Sequence, residues 1–103
     1  MATIELFFPR DHRAADGHFP GNPIIPGAVL LNEVLLTIES EVGIALSPGE
    51  IKAAKFFYPT RPGDLVLIEY TRIAEGDLKF NCAVNERTVL SGQVKCGVPS
   101  ITK

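Results

Sequence analysis

The hydrophobic positions change period along the chain, and the changes mark out its elements. In Thr3–Phe8, Ile4, Leu6 and Phe8 fall on one face, the period of a strand. Ala28–Val42 (AVLLNEVLLTIESEV) holds nine apolar residues and no breaker, and reads as the single helix. Its expected buried face is Ala28, Leu31, Val34, Leu35, Ile38 and Val42; Glu33, Thr37, Ser40 and Glu41 fall on the polar side. Pro26 and Gly27 open the helix and Gly43 suits its C-terminal cap. Four strands follow, at Ile51–Tyr58, Leu65–Ile73, Leu78–Val84 and Thr88–Gly97, separated by turns at 59–64, 75–77 and 85–87. The order β-α-β-β-β-β, with strands in hairpin succession, predicts an α+β fold: a five-stranded antiparallel sheet wrapped around one central helix.

The stretch from Pro9 to Pro26 has no such period. It carries four prolines and both histidines, and a connection of 18 residues in a small domain is where function is expected. The 103 residues suffice for one domain, 1–103. A net charge of −2 gives no broad basic field for nucleic acid. No apolar run approaches the ~18 residues of a membrane span, and the first residues lack the features of a signal peptide. A cytoplasmic protein is therefore expected. Cys82 and Cys96 are expected to be out of register on a hairpin, Cys82 opposite Ser91 and Cys96 opposite Asp77, and so reduced. With no CxxC and no Cys/His cluster, no metal or other cofactor is expected.

The loop ends in Gly17-His18-Phe19-Pro20-Gly21-Asn22-Pro23-Ile24-Ile25-Pro26-Gly27. A neutral imidazole with a pKa near ~6.5 suits proton abstraction at neutral pH. Gly27 stands where free N–H groups and the positive end of the helix dipole could face a carbonyl oxygen. A second block, Ile51-Lys52-Ala53-Ala54-Lys55-Phe56 followed by Pro59-Thr60-Arg61-Pro62-Gly63-Asp64, comes after the helix. Together the two blocks resemble the beta-hydroxyacyl-acyl-carrier-protein dehydratases, whose pattern is GHFPG-x-P-x-x-PG into a central helix and later a basic-Phe and P-x-x-PGD run. The likeness covers most of residues 17–96.

That resemblance implies a hotdog fold and dehydration of 3-hydroxyacyl thioesters, carried on acyl carrier protein or coenzyme A, to 2-enoyl thioesters. It implies His18 as the catalytic base; Phe19, Pro26, Gly27 and Phe56 beside the substrate; and a homodimer or larger assembly whose sites use two protomers. One position departs from the pattern. The family carries Glu or Asp fourteen residues after the histidine, and here that residue is Asn32, followed by Glu33. An amide does not exchange protons at neutral pH, so Asn32 and Glu33 are both candidate site residues. A hotdog thioesterase and a non-catalytic acyl-binding or auxiliary subunit are the competing readings. Ile24, Ile25, Phe56, Phe57 and Tyr58 could wall an acyl tunnel or simply form core. Lys52, Lys55 and Arg61 could meet a carrier phosphate or stand in solvent.

Overall fold

The computed structural model describes residues 2–10, 24–43, 50–73 and 76–95. Its elements are β1 (Ala2–Phe7), α1 (Gly27–Val42), β2 (Glu50–Phe56), β3 (Leu65–Arg72), β4 (Asp77–Val84) and β5 (Arg87–Lys95). The strands form one antiparallel sheet in the order β1-β3-β4-β5-β2. This is the expected hotdog architecture. The consecutive hairpins lie in the middle, while β1 and β2 occupy opposite edges.

One face of the sheet buries Val66, Ile68 and Tyr70 of β3, Leu78, Phe80 and Cys82 of β4, and Leu90 and Val94 of β5. These pack with Leu30, Val34, Leu35 and Ile38 of α1. Fifteen apolar side chains among the described residues make up this buried core, and every sheet residue in it but one obeys the period of two. The exception is Val89, buried next to Leu90. Cys82 faces Leu90 while Ala83 faces Thr88, so Val89 is the extra residue of a β-bulge. Its carbonyl accepts from the Phe57 N–H at 2.9 Å. The bulge also corrects the expected register: Cys82 lies opposite Leu90 rather than Ser91, and Asp77 opposite Lys95. Cys82 is a buried free thiol whose pKa desolvation pushes up to about 12, an inert packing residue at neutral pH; Cys96 lies outside the described residues.

The β4–β5 turn is two residues, Asn85 and Glu86, both at positive φ (51° and 67°). That is the type I′ geometry that matches strand twist. Gly92 sits under the Phe80 ring, where a Cβ would come within 2.6 Å of Phe80 Cζ and 2.7 Å of the Ala53 carbonyl oxygen. Only glycine fits there without displacing the core.

The helix is turned relative to the expected face. Leu30 is buried, whereas Ala28 is exposed and Leu31 only half-buried. The buried stripe is therefore Leu30, Val34, Leu35 and Ile38, a rotation of about 40° at 100° per residue. Its C-terminus closes as expected, with Gly43 left-handed (φ 74°) and its N–H donating to the Glu39 carbonyl.

On the other face of the sheet, Asp77 accepts hydrogen bonds from Lys52 Nζ (3.0 Å) and Gln93 Nε2 (2.8 Å). Those two bonds, Lys52 first, hold its carboxyl below the usual 3.8 against the opposing effect of desolvation. A depressed carboxyl pKa stabilises the fold above the unfolded-state value and ceases to do so as pH falls through the folded one. Asp77→Asn is therefore expected to be less stable than the parent at pH 7, with the gap closing below about pH 4. Urea unfolding from pH 2 to 7 measures this, and a gap independent of pH would rule out the carboxylate as its source.

Candidate active site

The two sequence blocks meet at the N-terminus of α1. Pro59 and Thr60 run back from the end of β2 to Ile25, where the Ile25 N–H donates to the Thr60 carbonyl at 2.7 Å in an isolated antiparallel bridge. Beyond it, Arg61-Pro62-Gly63-Asp64 is a type II turn. Pro62 takes the second position and Gly63 the third at φ 94°, and the Asp64 N–H donates to the Arg61 carbonyl at 3.0 Å. Asp64 Oδ2 accepts from the Arg61 N–H at 2.8 Å, locking the turn. The Gly63 N–H and the Asp64 carbonyl both pair with the backbone of Phe8, which ties the turn to the end of β1. The P-x-x-PGD run is thus the joint between the helix entry, β1 and β3.

Above this joint lies a cavity of about 370 Å³ lined by Ile24, Ile25, Gly27, Leu30, Phe56, Phe57, Tyr58, Pro59 and Thr60. The five residues considered as tunnel wall all line it, and the three aromatics are half exposed (50–51%), so they are not core. Gly27 touches Phe56: a Cβ there would lie 3.1 Å from Phe56 Cε1 and 3.2 Å from Cζ. Pro26 precedes the helix at φ −57° and ψ 145°, supplies no side-chain cap, and no acidic residue stands in the first turn. The first N–H groups of α1 are therefore left by the helix itself without intrahelical acceptors, at the positive end of an uncompensated dipole. An oxygen with developing negative charge is the chemistry such a terminus favours.

Gly27 and Phe56 are thus brought together, while Pro26, next to Gly27 in the chain, is not among the residues around the cavity. Asn32 and Glu33 are not among the residues around this cavity. Asn32 is exposed, on an outward row with the equally exposed Ala28 and Leu36, while Glu33 is half-buried. His18 and Phe19 lie outside the described residues. Lys52 is committed to Asp77, and Lys55 lies with Lys79 beside a hollow on the opposite sheet face. Arg61 instead borders a second cavity next to the first, together with Arg87, a residue the sequence did not single out.

A model of the ApeI-like family, described as ApeI dehydratase, matches residues 1–93. The chain belongs to the ApeI-like dehydratase family. Among curated relatives it resembles the 3-hydroxyacyl-[acyl-carrier-protein] dehydratase FabZ of Lactobacillus helveticus, 32% identical over 98 positions, covering 84% of this chain and 66% of the relative. FabZ of Latilactobacillus sakei is 40% identical over 62 positions, covering 53% and 44%. The chain therefore spans about half to two thirds of the length of these relatives. The dehydratase heterocomplex ApeI:P of Xenorhabdus doucetiae superposes with a TM-score of 0.76 at 24% identity, over 93% of this chain and 86% of that one, and shares its fold. Among the described residues there is no group of three His, Cys, Asp or Glu able to hold a metal ion, and no helix is long and apolar enough to cross a membrane.

Thr60, at the joint beneath the cavity, has a structural oddity. It is 1% exposed and its Oγ1 has no hydrogen-bond partner among the described residues. A buried unpaired hydroxyl costs about 1–3 kcal/mol. Thr60→Val is therefore expected to hold or raise the unfolding free energy, by up to ~2 kcal/mol, in chemical denaturation. A clear loss of stability would show that the hydroxyl is engaged.

Proposed function

We propose that the protein dehydrates 3-hydroxyacyl thioesters to 2-enoyl thioesters, with His18 as the base that removes the C2 proton. The observation that carries this reading is the uncapped start of α1 at Gly27, opening on an apolar cavity against Phe56. An acyl chain fits such a wall, and the thioester oxygen, which gains charge as the proton leaves, fits the helix N–H groups. Membership of the ApeI-like family and likeness to FabZ point to the same chemistry.

The departing hydroxyl needs a proton donor, and Asn32 is an amide exposed on the helix row that faces away from its own core. A side chain so placed can reach a site only across an interface between copies or subunits. Edge strand β2 supports assembly as well: among the described residues no strand pairs with its outer side, and it exposes Ile51 and Phe56. We read the working unit as a dimer at minimum. Sedimentation at micromolar concentration should show a species of at least twice 11.2 kDa; a purely monomeric protein would leave Asn32 without a site.

The chemical test is enoyl absorbance on incubation with a 3-hydroxyacyl thioester. His18→Ala should abolish turnover. Asn32→Asp should raise it, since a positioned acid contributes ~10²–10⁴-fold. Inactivation by Glu33→Gln with no effect of Asn32→Asp would transfer the role to Glu33. Free thiol release without enoyl product would favour the thioesterase reading. Asn32 also favours one further possibility, a subunit that completes a site with a carboxylate-bearing partner; the ApeI:P neighbour is itself a heterocomplex. Silence alone, with activity appearing on addition of such a subunit, would establish it.

A further inference from the structure

The cavity bordered by Arg61 and Arg87 adjoins the apolar one and shares Tyr58 and Pro59 with it. Its volume is about 370 Å³, and Val84 and Val89 also line it. The Arg87 guanidinium lies over the Tyr58 ring, 4.5 Å from its centroid. Stacking of this kind fixes the plane of the guanidinium and leaves its edge N–H groups for a second partner. Arg87 directly follows the two-residue type I′ turn, and among the described residues no carboxylate lies within ion-pair distance of it.

Among the described residues, Arg61, Arg87 and one carboxylate, Asp64, border this cavity. Asp64 Oδ2 is already occupied by the Arg61 N–H. An anion with several acceptor oxygens, adjacent to a bound apolar chain, is the chemistry that this arrangement matches. We infer that Arg87, stacked on Tyr58, seats the phosphate of a phosphopantetheine arm whose acyl group occupies the neighbouring cavity. The inference rests on the acyl-thioester reading above. It makes Arg87 a binding residue for the carrier, distinct from any group at the reacting atoms. Coenzyme A and acyl carrier protein both present this phosphate.

The test is calorimetric or NMR titration of the intact protein with 4′-phosphopantetheine, with pantetheine as the phosphate-free probe, and with coenzyme A and holo-acyl carrier protein. The parent should bind 4′-phosphopantetheine roughly 10-fold or more tightly than pantetheine, with the preference fading at high salt. Arg87→Gln should erase that preference and leave pantetheine affinity where it was. Tyr58→Leu, which removes the stacking platform but no charge, should give a smaller loss. Whichever carrier loses affinity in Arg87→Gln identifies the source of the phosphate. Equal losses for both small probes, or no preference in the parent, would overturn the inference. Enoyl formation is measured separately, so a phosphate seat without turnover would leave the inference standing and remove the dehydratase reading.

Discussion

The fold depends on one topological constraint: β1 and β2 are consecutive strands placed at opposite edges of a five-stranded sheet. The chain between them must cross the width of the sheet, and crossing over an apolar face requires an element with satisfied backbone groups. Helix α1 meets that need and closes the core as it crosses. The crossing also fixes where the helix begins. Its first turn must lie near the start of the return path, and the Ile25–Thr60 hydrogen bond pins it beside the end of β2. A helix N-terminus, an apolar cavity and three aromatics are therefore gathered by topology before any chemistry is asked of them.

Much of this was legible in the sequence because period and punctuation agree. β1 and β4 alternate cleanly, each turn carries Gly, Pro or Asn, and the helix contains no breaker, so order and type were fixed locally. The register of the last hairpin was not legible. It depends on a bulge at Val89, and a bulge leaves only two adjacent apolar residues in the sequence, Val89 and Leu90, which also fit an unbulged strand. The rotation of the helix was hidden for a related reason. With nine apolar residues among fifteen, several faces are apolar enough to be buried, and the choice falls to the sheet beneath rather than to the helix.

That rotation matters most for the site. Gly27, Pro26 and Phe56 could be named from motifs because those motifs encode backbone geometry: a helix start, a turn, a close approach between glycine and ring. Asn32 and Glu33 are side chains on a helix whose phase the sequence leaves open, and a shift of about 40° decides which of them meets solvent. Asn32 is the more exposed of the two, although the expected polar side held Glu33 and not Asn32. Exposure does not disqualify it. In a protein whose helix presents a row of Ala28, Asn32 and Leu36 outward, the outward row is the one available to another subunit.

The bulge at Val89 connects these observations. It breaks register on the β4 side of β5 only, where Cys82 faces Leu90 and Ala83 faces Thr88; on the β2 side the pairing runs on from Lys55–Ser91 to Phe56–Leu90. The Val89 carbonyl extends that second ladder by one rung, accepting from Phe57 and holding the segment after β2 against β5. Phe56 and Tyr58, on either side of Phe57, are thereby fixed in place. One reaches Gly27 at the helix start, and the other carries the Arg87 guanidinium. The apolar cavity and the basic one thus meet at the segment that β5 holds, and they share Tyr58 and Pro59. The bulge adds Val89 to the wall of the basic cavity while leaving the β2 ladder unbroken there, which is how a bulge can re-aim a side chain beside a site without breaking the sheet.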